Sequence, residues 1–124
     1  MNMILLVAIG GALGSIARYL MASSIQTASG WEFPIGTVLV NILGCFLMGI
    51  LYVLIVARHD PRHDLRALLM VGAMGGFTTF SSFSLETVTL AMNGHYTSAT
   101  LNVLISVATC LTGTMLGVAL ARIT

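Results

Sequence analysis

The residues best suited to do chemistry stand in one run, Gly75-Gly76-Phe77-Thr78-Thr79-Phe80-Ser81-Ser82-Phe83-Ser84-Leu85-Glu86. Hydroxyls and phenylalanines are interleaved, and a carboxylate follows. On a helix, Phe80 and Phe83 share a face, and Glu86 continues their stripe with Ser82 four residues before it. An aromatic ring carries a positive edge. Ring edges and hydroxyls together could face a small anion without trapping it on a fixed charge. Glu86 is the one acidic residue within the apolar segments, and an intramembrane carboxylate is a functional candidate. The bland reading makes it an interfacial residue near a helix end. The same run is a poor continuous helix: glycine lowers helix propensity, and Ser and Thr offer the backbone competing hydrogen bonds. Two readings stay open. Either the helix breaks and frees backbone groups near the bilayer midplane, or it continues as a glycine-packed helix.

Donors stand elsewhere in the chain. Thr37 and Asn41 are four apart and share a helix face, with Gly44 leaving space beside the amide. An Asn side chain donates two hydrogen bonds, and a lipid-facing amide is costly. Asn102, Ser106, Cys110 and Thr114 recur every four residues as a polar stripe. For most of these hydroxyls, back-bonding to their own helix is the simpler reading. Arg18 lies toward the end of the first apolar segment, where it snorkels to the interface or draws anions to a pore mouth. Cys45 and Cys110 lie in apolar runs and read as small packing residues. His59, Asp60, His63 and Asp64 sit in a short Pro-containing loop and read as solvated rather than metal-binding. Lysine is absent, so no phosphate-binding loop is present, and no nucleophile has an oriented base. An enzyme is disfavoured.

The elements that must hold these residues are membrane helices. Of 124 residues, 57% are hydrophobic and 7% charged, against roughly a quarter charged in soluble domains. Crossing a bilayer takes roughly 20 mostly apolar residues. Four segments qualify, at about 3–21, 33–57, 65–92 and 99–123, and they form one all-helical transmembrane domain. A net charge of +1 offers no basic face for nucleic acid. Arg58, Arg62, Arg66 and Arg122 fall on the side of both termini and Arg18 toward the other, which favours cytoplasmic ends. Gly10 with Gly14, Gly72 with Gly76, and Gly113 with Gly117 are spaced for close helix packing, chiefly within one subunit. Four helices enclose little volume, so a pathway is easier to build between copies.

The third-segment run resembles the signature of the CrcB (Fluc) family of small fluoride channels. Asn41 in Val40-Asn-Ile-Leu-Gly44 resembles the family's second-helix motif, and Gly10-Gly-Ala-Leu-Gly-Ser-Ile-Ala-Arg-Tyr19 its first. The likeness covers the whole chain. It implies a dual-topology antiparallel homodimer in the bacterial inner membrane, with the third helix broken at mid-membrane around Gly75 to Thr78. It implies passive fluoride export that protects the cell. Phe80 and Phe83 would line the path, Asn41 would donate to the ion, and Thr37, Ser81, Glu86 and Thr114 would form a polar track. Arg18 would stand at the vestibule, and the Gly75 and Thr78 carbonyls would hold a structural sodium ion. The four-against-one arginine bias departs from dual insertion. A small multidrug-type antiporter would want a mid-membrane carboxylate, commonly in the first helix, where none stands. A non-conducting accessory subunit leaves Asn41, Phe80 and Phe83 unexplained.

Overall fold

The computed structural model describes residues 2–58 and 62–124, and every regular element in them is helical. Met1, His59, Asp60 and Pro61 lie outside the described residues, so the loop cluster is described only at His63 and Asp64. Four helices are long and apolar enough to cross a membrane: the first span Met3–Ser29, the second Ile35–Ala57, the third His63–Met92 and the fourth Tyr96–Ile123.

The first span does not stop near Met21. Asn2 caps its start, accepting the Ile4 N–H at 3.0 Å. Its end is set by Gly30, which takes the left-handed conformation at φ 63° and returns its N–H to the Gln26 carbonyl at 3.2 Å. That is the glycine stop of a helix C-terminus. Ser23, Ser24, Thr27 and Ser29 look like loop residues by propensity, yet each still fits within the helix that Gly30 closes. Gln26 then shapes the short connection. Its Nε2 donates to Trp31 O at 2.7 Å and Phe33 O at 3.1 Å, and its Oε1 accepts the Gly36 N–H at 3.1 Å. Gly36 sits in the first turn of the second span, where backbone N–H groups have no helical partner. The expected loop of 22–32 thus shrinks to 30–34. Arg18 consequently stands mid-helix rather than toward an end.

The second span packs most extensively on the fourth, and the first on the front half of the third. Glycines bring backbones together at both contacts. A Cβ on Gly76 would stand 2.6 Å from Gly11 O, and one on Gly72 2.9 Å from Val7 O. Gly10 and Gly14 face the backbone of Leu68 and Ala73 in return. Gly49 meets the Thr114 carbonyl, and Gly117 meets that of Phe46. These glycines therefore serve packing between spans of one chain. Arg58 Nη2 donates to the Ala121 carbonyl at 3.3 Å, which places the end of the second span beside the end of the fourth.

The third span is not one regular helix. It runs helically through 63–77, with a π-helical stretch over Arg66–Met74, and again over Phe80–Met92. Between them Thr78 (φ −86°, ψ 155°) and Thr79 (φ −150°, ψ 117°) are extended. Of the stretch Gly75 to Thr78 where the sequence puts the break, Thr78 is extended, but Gly75 is helical at φ −61°, ψ −36°, and Gly76 is helical too. The reason is visible in the packing. Gly76 is needed for close approach to the first span, while the two threonines bring hydroxyls that replace lost backbone partners.

Candidate functional site

An interrupted helix leaves backbone groups without partners, which is costly in lipid. Two side chains from other spans take them up. In a continuous helix the Thr79 N–H would bond to the Gly75 carbonyl. Here it donates to Asn41 Oδ1 at 2.8 Å, and Asn41 Nδ2 donates to Thr79 O at 3.0 Å. Asn41, buried at 8% exposure, thus grips one peptide residue from both sides. Arg18 Nε donates to the Gly76 carbonyl at 3.0 Å, the group a continuous helix would pair with Phe80. Thr79 also caps the second half-helix: its Oγ1 accepts the Ser82 N–H at 3.1 Å. Ser81 and Ser82 hydroxyls lie 3.2 Å from the same oxygen. Thr78 bonds twice to the Met74 carbonyl, through N at 3.0 Å and Oγ1 at 2.9 Å.

Beside this junction lies a cavity of about 320 Å³. Asn41, Thr78, Thr79, Phe80, Phe83 and Ser106 line it, together with Cys45, Cys110 and apolar fourth-span residues. The Phe80 and Phe83 rings are in contact, 5.3 Å between centroids and tilted by 50°. A tilted pair of this kind brings the electropositive edge of one ring toward the other ring. Phe80 is 78% exposed in the single chain.

Further along the second half-helix, Thr37 Oγ1 donates to Glu86 Oε1 at 2.7 Å, joining two residues of the expected polar track. The other carboxylate oxygen, Oε2, is buried with no hydrogen-bond partner. Glu86 borders two hollows of about 350 and 620 Å³ that both also touch Glu32 and Pro34. Glu32 in turn pairs with His95 Nδ1 at 3.1 Å at the exposed end of that region.

The fourth span contributes differently from the expectation for Thr114. Its hydroxyl back-bonds to the Cys110 carbonyl at 3.1 Å, and Thr114 does not border the cavity by Phe80. One and two turns earlier the same stripe presents Cys110 and Ser106 there instead. Ser106 donates to Asn102 Oδ1 at 3.3 Å, Asn102 Nδ2 to Thr87 Oγ1 at 2.9 Å, and Thr87 Oγ1 to Phe83 O at 2.7 Å. Asn102 is 1% exposed. The sequence marks it only as part of a stripe; its link to the backbone under Phe83 depends on how the last two helices meet. Replacing Asn102 by Leu leaves the Ser106 hydroxyl without its acceptor and Thr87 Oγ1 without its donor, and is expected to cost about 1–3 kcal/mol. The check is thermal unfolding of the purified protein in detergent, where the variant should melt earlier than the parent. Equal melting would show that the bond chain carries no stability.

Fold and site together define a four-span membrane protein with an interrupted third span and a ring-and-hydroxyl cavity beside the interruption. The family model for CrcB-like protein, Camphor Resistance (CrcB), matches residues 5–118. A fluoride-specific ion channel FluC of Coxiella burnetii (strain Dugway 5J108-111) is 48% identical over 120 residues, covering 96% of this chain and 97% of the relative. Proteins of the same name from Geobacter sulfurreducens (46% identical over 122 residues, 98% of each chain) and Magnetococcus marinus (44% over 117 residues, 94% of this chain and 95% of the relative) are similar throughout. The chain belongs to the CrcB family.

Proposed function

We propose that this chain is a fluoride channel of the bacterial inner membrane and not an enzyme: it lets fluoride leave the cytoplasm down its electrochemical gradient and so protects the cell. The observation that carries the reading is the cavity where Asn41, the Phe80–Phe83 pair and the Thr79 and Ser106 hydroxyls meet at the start of a 13-residue half-helix. Fluoride is small and strongly hydrated, so losing its water demands close donors. A helix N-terminus presents free N–H groups and positive dipole character to an anion. Ring edges and hydroxyls add attraction without a fixed cation beside them, which keeps binding weak enough for release. Thr37, Ser81 and Glu86 continue the track. Glu86 Oε2 is an acceptor without a donor; carrying a proton, it would itself be a donor to a passing anion. Arg18, held on the Gly76 carbonyl, would raise the local potential from mid-helix.

The working unit in this reading is an antiparallel homodimer crossing at a mid-membrane break. Phe80 is largely uncovered in one chain, so a second copy would close the aromatic side of the path. A structural sodium ion would be held there by the carbonyls of Gly75 and Thr78. The donor set fits a hard cation, which prefers oxygen ligands. The N–H groups of Thr79 and Ser82, the helical partners of those two carbonyls, go instead to Asn41 and to the Thr79 hydroxyl. Sodium would supply fixed positive charge at the crossing of the two chains.

The test is efflux from reconstituted liposomes. Fluoride should leave rapidly without a proton gradient, and chloride hardly at all. Phe80→Ile and Phe83→Ile should each slow fluoride efflux by roughly tenfold or more, a barrier increase of about 1.4 kcal/mol per decade. Transport that required a proton gradient would favour an antiporter, and unchanged rates in both variants would remove the rings from the path.

A further inference from the structure

Both cysteines of the chain border the cavity beside Asn41, although no step of fluoride passage requires a thiol. Cys45 lies on the second span and Cys110 on the fourth. Those two spans are drawn together at Gly49 and Gly117, where any side chain would strike the facing backbone. The two residues stand on these facing spans and line one and the same cavity. Neither forms a disulfide, and neither is fully buried. The seam therefore offers two soft sulfur donors from two different helices on the wall of one cavity large enough for an ion.

We propose that Cys45 and Cys110 form a two-thiol site for a soft, thiophilic metal ion such as Hg(II), and that an ion bound there closes the cavity. Thiolates select soft metals over hard ones. In the binding step each thiol gives up its proton to water and each sulfur forms one bond to mercury. HgCl2 releases two chlorides in exchange, and no oxidation state changes. Release of two protons makes binding stronger at higher pH. The bound ion ties the second span to the fourth within the wall that also holds Asn41, Phe83 and Ser106.

Closure of the path rests on the fluoride reading above, so occupancy and transport are measured separately. The full-length protein in detergent is treated with HgCl2, and bound mercury and residual thiols are counted after unfolding with maleimide. One mercury per chain with both thiols protected is the expected result. Two mercury ions per chain, or one thiol left reactive, would overturn the paired site whatever the protein transports. In liposomes, HgCl2 should bring fluoride efflux down to the background of empty vesicles, with recovery in excess dithiothreitol. C45S/C110S and C45A/C110A, each compared with its own metal-free rate, should lose this sensitivity. Equal block of the parent and of both double variants would overturn closure at this site. Mercury bound at one per chain with efflux unaffected would keep the site and refute closure.

Discussion

Asn41→Asp is expected to bring fluoride efflux from liposomes down to background while leaving a protein that still folds. The amide makes two bonds to Thr79, accepting from its N–H at 2.8 Å and donating to its carbonyl at 3.0 Å. A carboxylate keeps the first and cannot make the second. The Thr79 carbonyl, as helix N-cap, keeps its intrahelical donor but meets a second acceptor where the amide donated, at a cost of about 1–3 kcal/mol. A second penalty falls on transport alone: a fixed negative charge stands beside the phenylalanine pair, where a fluoride ion would have to pass. Asn41→Ala loses both bonds without adding charge, so it should melt at a lower temperature than the aspartate variant and yet conduct no worse. Efflux assays and detergent melting curves on the two variants check this ordering. Efflux at the parental rate in Asn41→Asp would show that the amide stands outside the path.

Gly14→Val is expected to remove the folded protein rather than slow it. A Cβ at this position runs into the carbonyl of Ala73 and comes within 3.0 Å of the Phe77 N. Both are backbone atoms of a helix whose own position is set by Arg18 and by the neighbouring glycines. Overpacking typically costs about 1–3 kcal/mol, and here no side chain is available to swing aside. Gly11 is the control. A Cβ there reaches no atom nearer than Gly72 O at 4.0 Å, so Gly11→Ala should be tolerated. Size-exclusion profiles of the two variants after extraction separate the cases: aggregated material for Gly14→Val, a parental peak for Gly11→Ala. A parental peak for both would mean that the first and third spans can move apart at little cost.

Much of this arrangement is legible in the sequence because the bilayer demands long apolar runs, and four of them are plain. The face shared by Phe80 and Phe83 is equally plain, since helical spacing alone brings the rings together. The pairing of Thr37 with Glu86 is different: each can be picked out as polar in an apolar helix, but their 2.7 Å contact depends on how two helices meet. The end of the first span is less plain: the Ser- and Thr-rich stretch 22–29 reads as a loop, while the deciding signal is Gly30, one left-handed residue. The sequence puts the interruption around Gly75 to Thr78, and the range overlaps the extended pair only at Thr78, because glycine is both a helix breaker and a packing residue. Gly75 and Gly76 turn out helical, and the extended pair is Thr78 and Thr79. The contact of Arg18 with the Gly76 carbonyl and those of Gln26 with the Trp31 and Phe33 carbonyls leave no trace in the sequence. Both side chains bond to backbone carbonyls, and a carbonyl carries no mark in a sequence.

The clamps on the interruption also bear on how the chain is made. Thr78 and Thr79 could not rest alone in lipid, since their neighbouring peptide groups would lack partners. The groups that take these up are Arg18 and Asn41, and both leave the ribosome before residue 78 does. The third span therefore enters the membrane against a platform of two earlier helices already carrying the required donors. Moving the first span to the end of the gene, as in a circular permutant, would reverse that order and leave the Gly76 carbonyl waiting for its arginine during synthesis.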